Sequence, residues 1–65
     1  MQITLNGEAR ETAVTTIAQL LGELKFEPTS LAVAVNGSVV RRADFATYAL
    51  KESDQIEIIR AVQGG

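Results

Sequence analysis

Residues Leu31 to Arg42 read LAVAVNGSVVRR, and this stretch decides the fold. Leu31, Val33 and Val35 alternate with Ala32, Ala34 and Asn36, the period of a strand that buries one face. Asn36-Gly37 follows, and both residues tolerate positive φ, which favours a two-residue hairpin turn. Ser38 to Arg41 is then a short return strand. The start of the chain repeats the pattern. In MQITLN, Met1, Ile3 and Leu5 face away from Gln2, Thr4 and Asn6, and Asn6-Gly7 makes a second tight turn. The return strand runs from Glu8 to Ala13, with Ala9, Glu11 and Ala13 opposite Glu8, Arg10 and Thr12. It is polar on both sides and suits a sheet edge.

Between the two hairpins the period changes. In TTIAQLLGEL (residues 15–24), Ile17, Leu20, Leu21 and Leu24 fall at i, i+3, i+4 and i+7, an apolar stripe on one helix. Thr16 and Gln19 have the spacing of a capping box, in which each side chain satisfies the other residue's free N–H. Gly22 costs the helix about 1 kcal/mol relative to alanine, and either a close approach or neutral drift accounts for it. Pro28 sets the outer limit of the helix, because its ring disfavours helical geometry at Glu27. Past the second hairpin, ADFATYAL places Phe45, Tyr48 and Ala49 at helical offsets, a short helical turn or covering loop. LKESD (residues 50–54) is a polar turn. QIEIIRAV (residues 55–62) closes as a strand, with Ile56 and Ile58 opposite Glu57 and Ile59.

The order is strand, strand, helix, strand, strand, strand. The first and last strands are the most apolar, so they are expected side by side in the middle. Two hairpins and one helix covering a single sheet face give an α+β fold, a β-grasp (ubiquitin-like) roll with a mixed sheet of about five strands.

With 65 residues and no cysteine, the chain is one small domain held by packing alone. Its hydrophobic fraction of 46% favours a compact fold over disorder. No apolar run approaches the ~20 residues of a membrane span, and no signal peptide is visible. A cytoplasmic protein without a membrane role is expected. The net charge of −2 carries no basic stripe, which points away from nucleic acid. Histidine, cysteine and tryptophan are absent. The usual general base, every thiol nucleophile and zinc sites built on Cys or His go with them. Gly7, Gly22 and Gly37 stand singly and form no phosphate loop. The residue set points away from a self-sufficient enzyme and from any bound metal or cofactor.

Several constellations invite a chemical reading. Asp44, Glu52, Asp54 and Glu57 lie in or beside turns and read as solvated charge rather than an acid–base pair. Arg41 and Arg42 could clamp an anion, but at a strand end they fit a solubilising or partner-facing role better. Phe45 and Tyr48 fit core cover better than a stacking platform. Ala32, Ala34 and Ile59 point to the sheet face away from the helix. Small side chains and one isoleucine make that face flat and apolar, and it is the expected partner docking patch.

The sequence closes on Val62-Gln63-Gly64-Gly65. Residues 62–65 are expected to leave the fold as a flexible tail. Without Cβ atoms, Gly64 and Gly65 can thread a narrow channel at backbone angles closed to other residues. The only functional group there is the Gly65 α-carboxylate, normally ionised and a poor electrophile until a partner activates it.

Val35-Asn36-Gly37, the arginine-bearing strand Val39-Val40-Arg41-Arg42, the aromatic Phe45, the block from Leu50 to Ile59 and the closing Gly-Gly together resemble the ThiS family, the sulfur carriers of thiamine biosynthesis. Members often carry Pro-Arg where this chain has Arg41-Arg42, and Gly-Asp where it has Ser53-Asp54. The resemblance implies that a ThiF-type (E1-like) adenylyltransferase uses ATP to adenylate the Gly65 carboxylate. A cysteine desulfurase persulfide then supplies sulfur, and the resulting thiocarboxylate donates it to thiazole synthase. On this view Val62, Gln63 and Gly64 thread into partner active sites, and the free protein is a monomer. Open alternatives are a carrier for molybdopterin or another product, a modifier that forms isopeptide bonds, and a plain ubiquitin-like binding module.

Overall fold

In the computed structural model, which describes residues 1–60, both Asn-Gly pairs turn the chain as expected. Asn6 and Gly7 have φ of 50° and 86°, and Asn36 and Gly37 have 53° and 88°. The first turn joins β1 (Gln2–Leu5) to β2 (Glu8–Glu11), and the second joins β3 (Leu31–Val35) to β4 (Ser38–Val40). Helix α1 (Ile17–Leu24) lies between the hairpins, and β5 (Gln55–Arg60) is the last described element. The strand order is β2-β1-β5-β3-β4. β1 and β5 pair in parallel at the centre, while β3 is antiparallel to both β5 and β4. β1, β5 and β3 each have a strand on both sides, with β5 at the centre, and the polar β2 and the short β4 take the edges. This is the expected β-grasp arrangement.

The helix stripe does what its spacing predicts. Ile17, Leu20 and Leu21 are buried against Ile3, Val33 and Ile56 of the sheet. Each such isoleucine or leucine contributes roughly 1.5–3 kcal/mol by leaving water. The helix start departs from a capping box. Thr16 Oγ1 accepts from Gln19 N at 3.2 Å, but the Gln19 side chain accepts from Thr15 N (2.8 Å) and Thr15 Oγ1 (3.0 Å) rather than from Thr16. The other first-turn N–H groups are met by tertiary partners. Ile17 N bonds Tyr48 O at 3.3 Å and Ala18 N bonds Phe45 O at 2.9 Å. The segment after β4 opens with a short 3-10 helix (Arg42–Asp44), and its following turn is therefore stitched to the helix start.

The helix ends before Pro28 acts on it. Lys25 adopts φ 62°, ψ 39°, and its N–H returns to Gly22 and Leu21 carbonyls. Pro28 instead opens a separate 3-10 turn, Pro28–Ser30. An added Cβ at Gly22 would meet nothing within 4 Å, so no close approach explains that glycine. The return strand β2 stops at Glu11, short of the expected Ala13. Thr12 is buried, and its Oγ1 donates to Glu23 Oε1 at 3.3 Å, tying the sheet edge to the helix.

Candidate functional site

The candidate site is a sheet face. β3 and β5 alternate in the same register, so Ala32 lies opposite Ile59 and Ala34 opposite Glu57. Ile56 and Ile58 turn inward and are buried, which leaves Ile59 outward at 62% exposure. The expected patch residues Ala32, Ala34 and Ile59 are thus brought onto one face, Ala32 exposed and Ala34 half-buried. Val39 of β4 pairs with Ala34 and is 75% exposed. It belongs to the same patch and was missing from the sequence reading. The signal was present, because Val40 inward forces Val39 outward. Away from this corner the outward residues of β1 and early β5 are Gln2, Thr4 and Gln55, so the face becomes polar there.

Two devices set the position of β5. Asn36 and Asp54 hold its start. Asn36 Oδ1 accepts from Gln55 N at 3.0 Å, and Asn36 Nδ2 donates to Asp54 Oδ1 at 3.0 Å. Asp54 Oδ2 accepts from Lys51 N at 2.9 Å. Asp54 is buried, so its reading as solvated charge is corrected: a carboxylate bridging two donors closes the turn before β5. Asn6 holds the middle of the strand, its Oδ1 accepting from Ile58 N at 2.8 Å. β1 has turned away by then, and the side chain adds one more rung to the ladder. At the far end, the Arg60 guanidinium lies 5.0 Å from the Phe26 ring centroid. A cavity of about 170 Å³ lined by Lys25, Phe26, Glu27, Ser30, Leu31 and Arg60 sits beside it.

The other constellations resolve singly. Asp44 pairs with Arg41 at 3.2 Å, and Glu52 accepts from Gln2 N at 3.1 Å. Glu57 is exposed on the outer face. Arg41 is committed to Asp44 while Arg42 lines a separate groove, so the two arginines do not act as one clamp. Phe45 is buried in the core and Tyr48 packs against it. Among the described residues no cluster of His, Cys, Asp or Glu could hold a metal ion, and no helix is long and apolar enough to cross a membrane. The expected tail residues Val62, Gln63, Gly64 and Gly65 lie outside the described residues.

Comparison with known proteins follows the same lines. Two thiazole synthases, from Magnetococcus marinus and Paramagnetospirillum magneticum, are 42% and 35% identical over 66 aligned positions. The alignments cover all of this chain but only 20% of each relative. The sulfur carrier protein ThiS of Escherichia coli is 32% identical, with both chains covered completely. The crystal structure of the thiamine biosynthesis protein ThiS from Geobacter metallireducens superposes with a TM-score of 0.86 at 28% identity, over the whole of both chains. The model of the ThiS family matches residues 3–65, and the chain belongs to that family.

Proposed function

We propose that this chain is a sulfur carrier of thiamine biosynthesis, a co-substrate of partner enzymes rather than an enzyme. The observation that carries the reading is the ThiS-family match, which runs through to Gly65. In the proposed cycle, a ThiF-type adenylyltransferase joins the Gly65 carboxylate to AMP from ATP, releasing pyrophosphate. The terminal sulfur of a persulfide made from cysteine attacks the acyl adenylate, and AMP leaves. A thiol then reduces the S–S bond and frees the thiocarboxylate. Thiazole synthase takes that sulfur as the ring forms. Activation is needed because a carboxylate resists nucleophiles, whereas its adenylate does not. The thiocarboxylate is in turn a polarizable anionic nucleophile.

The chemistry requires a free carboxyl group on Gly65, reached by a tail narrow enough to enter two active sites in turn. Ordering each tail residue costs about 1–2 kcal/mol of backbone entropy. The face formed by Ala32, Ala34, Val39 and Ile59 stands next to the strand that leads into the tail, and docking there would offset that loss. Such a carrier would work in the cytoplasm beside these enzymes.

Intact mass after incubation with ATP, a ThiF-type enzyme and a persulfide source tests the reading. The expected product carries sulfur in place of one carboxylate oxygen at Gly65. A mass unchanged under conditions that load the Escherichia coli ThiS protein would sink the proposal. Removing Gly65 should abolish loading while leaving the fold intact.

A further inference from the structure

The two turns carry the same dipeptide but are held differently. Among the described residues Asn6 makes one side-chain hydrogen bond, Oδ1 accepting from Ile58 N at 2.8 Å. Asn36 makes two, with Oδ1 accepting from Gln55 N and Nδ2 donating to Asp54 Oδ1, both at 3.0 Å. The main chain does not separate them. Asn6 N bonds Ile56 O at 2.9 Å and Asn36 N bonds Gln55 O at 2.7 Å. Nor does steric access, since an added Cβ at Gly7 or at Gly37 would meet nothing within 4 Å. The grip on the side-chain amide differs between them.

That grip bears on a covalent reaction. When glycine follows asparagine, its unhindered main-chain nitrogen can attack the asparagine side-chain carbonyl carbon. We infer that Asn6 is a site of spontaneous deamidation in the folded protein, and that Asn36 is protected by its hold on Asp54 and Gln55. The Gly7 nitrogen loses its proton and bonds to Asn6 Cγ; the Cγ–Nδ2 bond breaks and ammonia leaves. Water then opens the cyclic imide at either carbonyl, leaving aspartate or isoaspartate at position 6. No electrons are transferred, and water is the only co-reactant.

The attack needs the side chain to swing off its partners until Cγ reaches the next nitrogen. For Asn6 this gives up one hydrogen bond between neutral groups. For Asn36 it gives up two, one of them to a carboxylate, and it leaves an oxygen of buried Asp54 short of a donor. Carboxylate bonds are the stronger kind, so the additional loss slows Asn36 by roughly tenfold to hundredfold. The products differ as well. At position 36 a new carboxylate would face Asp54 Oδ1 across the present 3.0 Å contact. At position 6 isoaspartate withdraws the acceptor from Ile58 N, in the strand that carries Ile59.

The test is to incubate the purified chain in mildly alkaline buffer, both folded and unfolded in urea, and to follow each asparagine by peptide mass mapping. In urea the two sites should react at similar rates. In the folded protein the product should appear at Asn6 about tenfold to hundredfold faster than at Asn36. Equal rates in the folded protein, or a lead at Asn36, would overturn the inference. So would the absence of product at Asn6 by the time the urea sample has converted fully.

Discussion

Ile58 and Ile59 are neighbours in β5, yet one is 7% exposed and the other 62%. Val40 and Val39 in β4 repeat the contrast, at 8% and 75%. Residue type is the same within each pair; only the parity along the strand differs. On the inner face the side chain is surrounded by the helix and by neighbouring strands, and its burial supports the fold. On the outer face an equally apolar side chain meets water, and the free domain gains little from it. Apolar groups that do not support the domain's own fold are the ones available to a partner.

The largest expected effect separates the two faces directly. Ile58→Ala should lose about 2–5 kcal/mol of unfolding free energy, whereas Ile59→Ala should stay within about 0.5 kcal/mol. Urea unfolding monitored by circular dichroism measures both, and similar losses would break the contrast. Next in size is Asp54→Ala, which strips acceptors from Asn36 Nδ2 and Lys51 N. It should lose about 1–3 kcal/mol. Loss of amide-exchange protection should begin at Gln55, where Asn36 holds the strand. Uniform loss across the sheet would mean that Asp54 does not set the start of β5.

The third prediction concerns the outer face alone. Ile59→Asp should weaken binding to the proposed ThiF-type adenylating enzyme by about tenfold or more, near 1.4 kcal/mol, with stability little changed. Val39→Asp should act in the same direction but less, because β4 is an edge strand separated from β5 by β3. Titration calorimetry with unchanged affinity for both variants would remove this face as the docking surface. The smallest effects are gains. Ser53 sits at φ 70°, a conformation that glycine adopts without penalty. Ser53→Gly should therefore stabilise by about 1 kcal/mol. Gly22→Ala, with open space around the new Cβ, should stabilise by about 0.5–1 kcal/mol. A loss in either variant would show a constraint on that position beyond its local backbone.

The inner face was legible because period-2 alternation and the helical stripe are local statements about side-chain direction. The outward placement of Ala32, Ala34 and Ile59 was legible for the same reason. Val39 escaped because a three-residue strand gives alternation little length in which to register. Asp54 was misread because its partners, Asn36 and Lys51, are joined to it by a turn and by a strand pairing. Nothing in the polar run LKESD marks which acid is buried. The capping box was half right: the Thr16 to Gln19 bond depends on helix geometry alone, but the returning bond was drawn to Thr15. Lys25 shows a further limit. Its left-handed conformation ended the helix where no glycine or asparagine announced it.

The sequence by itself determined the element order, the two turns and the inward set of side chains. It also determined membership of the ThiS family and the position of Gly64-Gly65 beyond the last apolar strand. These follow from local periodicity, from the freedom of Asn-Gly to take positive φ, and from residue identities. Only the tertiary structure decided that Asn6 and Asn36 both anchor β5 and that Asp54 is a buried bridge. It likewise decided that Arg60 packs over Phe26, and that Val39 joins Ala32, Ala34 and Ile59 on one face. Each of these depends on groups distant in the chain meeting at hydrogen-bond or van der Waals range, which pairing register sets and composition does not.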